Sequence, residues 1–353
     1  MKTLEEKFYK TDILKTYCKY FDFLNKHSDC YNVEEALPLH VKKLYIESKN
    51  SLIEKVEILD DKDKYICKAK IHELFLKSLK TSKINVIVYK AFLEVEKNAS
   101  IKNTLATFKP EKSYTRNISY STTSNVTGRL VVETGPNILT LPKKNRSIIT
   151  SRFKEGKILS VDFSSLEPRL CLKLAGKDAD IDIYEHINST LELNLDRNII
   201  KRAIISVLYG AHYTSLKEIS QVKAKVLFDC IRDFFELEKI LKISKNVDEY
   251  GIRRNYEGRP LWNLEEVKEN ILINNYLQSS AVDIALDYFS RLISEIDEQR
   301  IVPLFVLHDA MIFDIDKSYL EEFNNIIKKG YVHEKLGKFP LKTEIFNLKN
   351  QDV

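Results

Sequence analysis

The sequence lacks the features of secreted, zinc-binding and membrane-spanning chains. Its five cysteines are odd in number and include no Cys-x-x-Cys pair, which excludes a regular disulfide framework and a cysteine zinc site. No run of about eighteen apolar residues occurs, and acidic residues stand near the start, where a signal peptide is apolar. These absences predict a soluble protein of a reducing, intracellular compartment, without membrane insertion.

Glycine and proline are scarce, with 9 and 8 among 353 residues, and strong turn signals are sparse before residue 105. Apolar residues recur there at helical spacing in Leu37 to Ile58, Tyr65 to Leu79 and Ile84 to Val95. This region is therefore predicted to be helical. A chain of this length with 44% apolar residues can bury one large core or two to three lobes.

The basic residues are unevenly distributed. The whole chain carries a formal charge of only +5, whereas Lys77 to Lys157 contains sixteen Lys or Arg against five Asp or Glu. A basic block beside an acidic remainder predicts a polyanion-binding surface. A solvated lysine-rich face gives the same pattern, so the charge by itself leaves both interpretations open.

The amino-acid composition changes after residue 113. Ser, Thr, Asn and Gly dominate from Ser113 to Pro142, which is typical of an extended, loop-rich stretch. Lys157 to Phe163 then predicts a short strand. The strand leads into a helix that Ser164 and Ser165 can cap and that Gly176 ends.

A second helix is predicted from Arg197, with Asp196 as its cap, to Tyr209. One face of this helix carries residues at steps of four, namely Arg197, Lys201, Ile205 and Tyr209. Because a helix N-terminus attracts phosphate and Lys201 stands about 12 Å from Tyr209, this face can hold a triphosphate at one end and a base at the other. An amphipathic helix with Ile205 and Leu208 in the core would show a similar pattern.

Two distant carboxylates are candidates for one metal site. Leu304 to Val306 and Met311 to Phe313 predict a hairpin with His308 and Asp309 at its tip, and Asp162 ends the strand predicted earlier in the chain. Two carboxylates at strand ends suit a pair of Mg²⁺ ions, which bind hard oxygen ligands and leave other positions to water and phosphate. Either Asp alone is explained as well by a cap or a salt bridge.

Five segments occur in an order that defines a family resemblance. They are Thr127-Gly128-Arg129 followed by Pro136-Asn137; Ser160-Val161-Asp162-Phe163-Ser164-Ser165-Leu166-Glu167-Pro168-Arg169; Arg197-x3-Lys201-x7-Tyr209-Gly210; Asn274-x3-Gln278; and Val306-Leu307-His308-Asp309. The second, third and fifth resemble motifs A, B and C of family A DNA polymerases, the group of bacterial DNA polymerase I and certain phage replicases. The first is similar to the segment before motif A, and the fourth to the helix before motif C, predicted here from about Leu264 to Ile296. The resemblance covers roughly Ser113 to the C-terminus.

The resemblance implies a role for each matched residue. Asp162 and Asp309 would bind two Mg²⁺ ions, for which Mn²⁺ is an alternative, with the backbone carbonyl of Phe163 as a further ligand. The residues implied for the incoming nucleotide are Arg197 and Lys201 on the triphosphate, Tyr184 where the family usually has a phosphate-contacting His, Ile205 and Tyr209 in the insertion site, and Glu167 as a steric gate against a ribose 2′-hydroxyl.

Four residues are implied for the primer-template: Arg129, Asn274, Gln278 and His308. Purine N3 and pyrimidine O2 present nearly the same acceptors in every base pair, so Arg and amide donors can test pairing geometry without reading sequence. His308 would support the primer end. An exposed amide pair or a hairpin His has, by itself, an ordinary structural explanation.

Four positions depart from the family pattern. Ile205 replaces an aromatic residue against the incoming nucleotide, and Ser206 replaces a nearby Gly. Ala310 replaces the acidic residue that commonly follows the motif C Asp, and Ser165 replaces a Gln of motif A. None of these changes removes a metal ligand, although the loss of stacking at Ile205 predicts weaker nucleotide affinity or relaxed selectivity.

The resemblance further implies an α+β right-hand polymerase fold. Its predicted parts are a helical N-terminal region serving as a shortened thumb (1–110), a palm in two parts with an antiparallel sheet (111–176 and 271–353) and helical fingers (177–270). Residues 1 to 110 contain no Asp-x-Glu of a proofreading site, so no exonuclease domain is expected.

The predicted function is template-directed, primer-dependent DNA synthesis from dNTPs by a monomer in the cytoplasm of a bacterial cell or a phage-infected host. The predicted partners are primer-template DNA and replication accessory proteins. Two alternatives remain open, namely a single-subunit RNA polymerase-like enzyme and a catalytically silent DNA-binding accessory protein. Glu167 argues against the first.

Overall fold

The structure is a computed structural model of the 353-residue chain. It describes residues 38–39, 41–43, 46–47, 64–177, 179, 182–190, 192, 194–219, 224–248, 251–261 and 267–347. The chain divides into two compact units, Met1–Ala69 and Lys70–Val353. The described residues of the first unit are almost all helical. Most of the helix predicted from Leu37 to Ile58 lies outside the described residues.

The described residues form these helices: α1 Lys64–Ser78, α2 Val86–Val95, α3 Ala99–Thr107, α4 Leu166–Ala175, α5 Ile183–Thr190, α6 Arg197–Leu208, α7 Leu216–Ile219, α8 Ala224–Phe234, α9 Leu237–Lys245, α10 Glu269–Glu295 and α11 Leu320–Lys328. The strands are β1 Lys83–Ile84, β2 Ser119–Ser121, β3 Val131–Thr134, β4 Ile149–Thr150, β5 Lys157–Phe163, β6 Arg253–Arg254, β7 Pro260–Leu261, β8 Ile301–Leu307, β9 Ala310–Ile315, β10 Tyr331–His333, β11 Gly337–Phe339 and β12 Leu341–Ile345. Short 3₁₀ turns cover Ile138–Thr140, Lys143–Ile148, Tyr213–Ser215 and Lys317–Tyr319. Within the part of the chain that is described, no helix is both long and apolar enough to cross a membrane.

The main sheet of the second unit has four antiparallel strands in the order β12-β5-β9-β8. Side chains alternate along β5, so Val161 and Phe163 face one side of the sheet and Asp162 faces the other. The Phe163 ring packs edge-on against Tyr288 and Phe289 of α10, at centroid distances of 5.5 and 5.8 Å. Because α10 covers that side, Asp162 lies on the side of the sheet that faces away from α10.

The described residues of the second unit form two hydrophobic cores. One core is built around the main sheet with helices α2, α3 and α11, and the other is helical and contains α5, α6, α8 and α9. Helix α10 belongs to both, since Leu272 to Leu277 pack into the helical core and Ala281 to Ile293 into the sheet core. This long helix therefore joins the sheet to the helical layer.

Most of the predicted elements are confirmed. Helix α6 begins at Arg197, where the side chain of Asp196 accepts a hydrogen bond from the backbone N–H of Asn198. Strands β8 and β9 form the predicted hairpin and are longer than predicted. The expectation that Ser165 caps α4 is wrong in detail. Ser165 occupies the N-cap position, but its backbone is left-handed, with φ 57°, and its side chain makes no capping hydrogen bond.

A buried ion pair fixes the loop that carries Arg129. The Arg259 guanidinium donates to the fully buried carboxylate of Asp283 at 2.6 Å and to the backbone carbonyl of Thr122 at 3.1 Å. The guanidinium also lies directly against Gly128, whose φ is +67°. A Cβ atom at position 128 would stand 2.1 Å from Arg259 Nη1, so only glycine fits there.

Replacing Gly128 with Ala is expected to lower the free energy of unfolding by on the order of 3 kcal/mol, since it adds left-handed strain and displaces a buried charge pair. Gly251 is the matched control, because its φ is +73° and nothing lies within 4 Å of an added Cβ. Gly251→Ala is expected to cost about 1 kcal/mol of strain alone. Equal losses in chemical denaturation would show that the contact with Arg259 contributes nothing.

Candidate active site

A cavity of about 400 Å³ lies at the end of β5. The predicted site residues that line it are Arg129, Asp162, Phe163, Glu167, Tyr184, Arg197, Lys201, Ile205, Tyr209, His308 and Asp309. They come from separate elements of the sheet and of the helical layer. The structure therefore brings together most of the residues that the sequence singled out.

Asp162 and Asp309 lie near each other where β5 and β9 pair. Asp162 is in register with Ala310, the residue after Asp309, and the Phe163 N–H points to the Asp309 carbonyl at 3.5 Å. Burial, followed by the negative charge of Asp309, raises the pKa of Asp162 to about 6. Burial also raises the pKa of Asp309.

These carboxylates fit divalent cations. Two partly desolvated acids of like charge repel each other, and a bound cation removes that repulsion. No cluster of three or more His, Cys, Asp or Glu residues suited to a metal is found among the described residues. With two carboxylates as side-chain ligands, most coordination positions would be left to water, phosphate and the Phe163 carbonyl, which is how proteins usually bind Mg²⁺.

The raised pKa of Asp162 gives a prediction for Asp162→Asn in the absence of metal. The ordinary pKa of 3.8 applies to the unfolded chain, and the folded value is about 6. Between pH 4 and 6 the unfolded state loses its proton first, so stability falls by about 1.4 kcal/mol per pH unit as the pH rises. Asn does not titrate. Asp162→Asn should therefore gain stability over the wild type between pH 4 and 6 and keep a constant gain of at most about 3 kcal/mol above pH 6.

Thermal unfolding in EDTA at several pH values measures this difference. Asp316 provides a control of opposite sign, because hydrogen bonds from Ser318 and Arg300 lower the pKa of its carboxyl group. Asp316→Asn should lose stability relative to the wild type above pH 4. A difference between Asp162→Asn and the wild type that does not change with pH would contradict the assigned burial of Asp162.

Helix α6 presents its cationic face to the cavity. Arg197 donates to Asp182 at 2.8 Å, and its guanidinium lies 4.7 Å from the centre of the Tyr184 ring. Lys201 is exposed, and its charge lowers the pKa of Asp309 against the larger effect of burial. The opposite face of α6 is buried in the helical core, as Leu208 shows. The face that carries Arg197 and Lys201 is thus not buried in the interior, and the helix is also amphipathic.

Glu167, Arg129 and Tyr209 form a polar cluster on one wall. Arg129 donates to the Tyr209 hydroxyl at 2.8 Å and lies 3.4 Å from the Glu167 carboxylate. Burial raises the pKa of Glu167, while Tyr209 and Arg129 lower it. With its amide nitrogen towards Thr127 Oγ1, Gln278 donates there at 2.8 Å and accepts from Arg129 at 3.2 and 3.3 Å. Gln278 thus contacts the cavity wall through Arg129.

The structure places three further predicted residues, His308, Tyr184 and Asn274, in different surroundings. His308 sits at the hairpin tip with φ 58°, and burial and the Arg129 charge lower its pKa. The Tyr184 hydroxyl is buried beside Ser165 without a hydrogen bond of ordinary geometry. Asn274 does not line the cavity, and its buried Oδ1 has no hydrogen-bond partner among the described residues.

Sequence reasoning missed Lys342. This residue lines the cavity, and its Nζ lies 3.2 Å from Asp162 Oδ2 and 3.0 Å from Glu344 Oε1. The alternation of Leu341 to Ile345 could have predicted a strand. No local signal places that strand beside β5, so the pair with Asp162 was not accessible from the sequence.

The family model of DNA polymerase family A matches residues 34–350, so this chain belongs to DNA polymerase family A. No curated protein matches it. Its fold is similar to the POL domain of Pol1 from M. smegmatis in complex with DNA primer-template and dNTP, with a TM-score of 0.57 and 18% sequence identity. That match covers 69% of this chain and 50% of the other, so the chain spans about half the length of that structure. The fold is accordingly the predicted right-hand polymerase fold.

Proposed function

We propose that this chain is a template-directed, primer-dependent DNA polymerase that adds dNTPs to a primer 3′ end. The observation that carries the proposal is that Asp162 and Asp309 line the same cavity as the cationic face of α6. A nucleotide needs both features at once, since its triphosphate must be bound and its α-phosphate must meet an activated hydroxyl.

Different side chains would have different roles in nucleotidyl transfer. Asp162, Asp309 and the Phe163 carbonyl would hold two Mg²⁺ ions. Bound there, divalent cations supply activation of the attacking hydroxyl and neutralisation of the leaving oxygen. Arg197 and Lys201 would bind and orient the triphosphate. Arg197 already has a carboxylate partner in Asp182, so it would exchange that partner for phosphate when nucleotide binds.

The polar cluster of Glu167, Arg129 and Tyr209 would control which nucleotide is accepted. Glu167 would occupy the space of a ribose 2′-hydroxyl, held by Arg129 and Tyr209. Arg129 and Gln278 would donate to the minor-groove edge of the terminal base pair. Tyr184 would contribute through the Arg197 guanidinium that lies on its ring. Asn274, which does not line the cavity, would act on the duplex further from the chemistry.

In this proposal the predicted domains keep their boundaries. The palm comprises 111–176 and 271–353 and contains the main sheet. The fingers comprise 177–270 and supply most of the helical core. The N-terminal 110 residues would act as a shortened thumb. The lack of a proofreading site stays a prediction from the sequence.

Primer extension tests the function. A labelled primer on a template is incubated with the full chain, Mg²⁺ and either dNTPs or rNTPs. Extension with dNTPs that follows the template and stops in EDTA supports the proposal. Extension with rNTPs alone would favour the RNA polymerase-like alternative. Duplex binding without extension, unaffected by EDTA, would favour the silent accessory protein.

A second cavity, at the other end of β5, is the proposed binding site for the DNA backbone. It measures about 520 Å³ and is lined by Lys83, Lys154 and Lys157 among other residues. These lysines form no ion pair within the described part of the chain. Glu155, the acid nearest in sequence, pairs instead with Lys317 at 2.8 Å. The positive charge of the cavity is therefore available to phosphates.

Each lysine that neutralises a phosphate releases counterions, which makes affinity depend on salt. Replacing Lys83, Lys154 and Lys157 together with Gln is expected to reduce the slope of log affinity against log salt by about 2 to 3. The control variant replaces three exposed lysines outside the basic block of Lys77 to Lys157, namely Lys225, Lys242 and Lys328. It changes the net charge by the same amount. Identical slopes for both triple variants would show that the phosphate contacts lie outside this cavity.

A further inference from the structure

Lys342 occupies an unusual place for a cation. Strand β12 pairs with β5 so that Lys342 lies directly opposite Asp162, while Ala310 lies on the other side. The ammonium is 3.2 Å from Asp162 Oδ2, and the side chain is 45% exposed, so it reaches the carboxylate from the cavity rim and has room to move. A positive charge thus already contacts one of the two proposed metal ligands.

This ammonium has the charge that the metal-free site needs. Asp162 and Asp309 are two partly buried acids, and the Lys342 charge is what lowers the pKa of Asp162 against the effects of burial and Asp309. The same ammonium opposes a divalent cation, since like charges repel and both compete for the oxygens of Asp162. Metal is therefore expected to bind more tightly after Lys342 withdraws from Asp162.

Glu344 is a second charge partner for Lys342. Glu344 lies two residues further along β12, on the same side of the sheet, and its carboxylate is 3.0 Å from the ammonium. Its side chain is largely exposed, at 65%. Lys342 can leave Asp162 and still keep a charge partner, which lowers the cost of its displacement.

We propose that Lys342 is a built-in counter-cation of the metal site. It bridges Asp162 and Glu344 when no metal is bound, keeps only its contact with Glu344 when a divalent cation binds, and so raises the cation concentration that the enzyme requires. This inference rests on the proposed function, in which Asp162 and Asp309 hold divalent cations. Lys342 is a positioning residue here, because it acts through Asp162 and not on the substrate.

Binding of Mn²⁺ to the full chain, without DNA or nucleotide, tests the proposal. The loss of the free-Mn²⁺ signal in electron paramagnetic resonance measures the dissociation constant. Lys342→Gln is expected to bind Mn²⁺ about tenfold more tightly, since one repelling charge is gone. Glu344→Gln is expected to bind it more weakly, because the lysine then stays on Asp162. Lys338→Gln, an exposed lysine outside the cavity, should match the wild type.

Thermal unfolding provides a readout that does not depend on activity. In EDTA, Lys342→Gln should melt below Lys338→Gln, and Mg²⁺ should remove the difference. Equal or weaker Mn²⁺ binding in Lys342→Gln would overturn the proposal. Wild-type Mn²⁺ binding that Asp309→Asn leaves intact would place the metal elsewhere, and would overturn the proposed metal site together with this inference. Primer extension by the wild type separates that outcome from failure of the polymerase assignment itself.

Discussion

Replacing Asp309 with Asn is expected to lower kcat for primer extension more than about 10³-fold, beyond the 10- to 100-fold typical of residues that only support a metal ligand. An amide keeps the size of the side chain and loses the charge that a divalent cation needs. Asp309 sits at the turn between β8 and β9, whose strands are buried, so the hairpin should stay folded. Primer-template affinity, measured by fluorescence anisotropy, should change less than about twofold, because the duplex is held mainly by phosphate contacts.

Asp316→Asn is the matched control for this prediction. It makes the same chemical change just after β9, at a residue that pairs with Arg300 and lies outside the cavity. Its extension rate should equal that of the wild type. If Asp309→Asn retained more than a tenth of the wild-type rate, the two-carboxylate site would not be the catalytic centre. If both variants lost activity, the effect of Asp309→Asn would be structural.

Elements with a strong local signal could be predicted from the sequence alone. Asp196 and the periodicity that follows it predict α6, and Lys157 to Phe163 predicts β5, because caps and short apolar strands are local properties. That Asp162 and Asp309 line one cavity was predicted through the ordered motifs, since no local rule links residues so far apart in sequence. The family resemblance therefore contributed the tertiary part of the site.

Features that depend on pairing between distant segments could not be predicted. Lys342 meets Asp162 only because β12 adds to the edge of β5, and strand order is not written in the alternation of β12. Gly128 lies in the stretch predicted to be loop-rich, but its contact with Arg259 depends on a buried pair with Asp283. Ser165 has the side chain of a cap, but its backbone is left-handed and its side chain makes no capping hydrogen bond. In each case tertiary structure decides what the local residue type leaves open.

Replacing Glu167 with Ala is expected to lower the preference for dNTPs over rNTPs by about 10²- to 10³-fold. The carboxylate lies in the same cavity as Asp162, its side chain is only 14% exposed, and Arg129 holds it from the side. A group fixed in this way excludes an added hydroxyl by its bulk, whereas a mobile one would move aside. Removing the side chain beyond Cβ opens that space. The ratio of kcat/KM for matched dNTP and rNTP incorporation measures the effect.

Glu167→Ala also frees Arg129 and Tyr209, so kcat/KM for dNTPs should fall as well, and the ratio isolates the gate from this loss. Glu167→Gln separates bulk from charge. Gln keeps the size of the side chain, so a steric gate predicts that it retains most of the selectivity, while a gate that acts by repelling the ribose hydroxyl electrostatically predicts that Gln behaves like Ala. An unchanged ratio in Glu167→Ala would remove Glu167 from sugar selection and leave it as the support of Arg129. A wild type that already accepts rNTPs as well as dNTPs would do the same, and would direct attention to Ile205, whose side chain lines the cavity where the family places an aromatic ring.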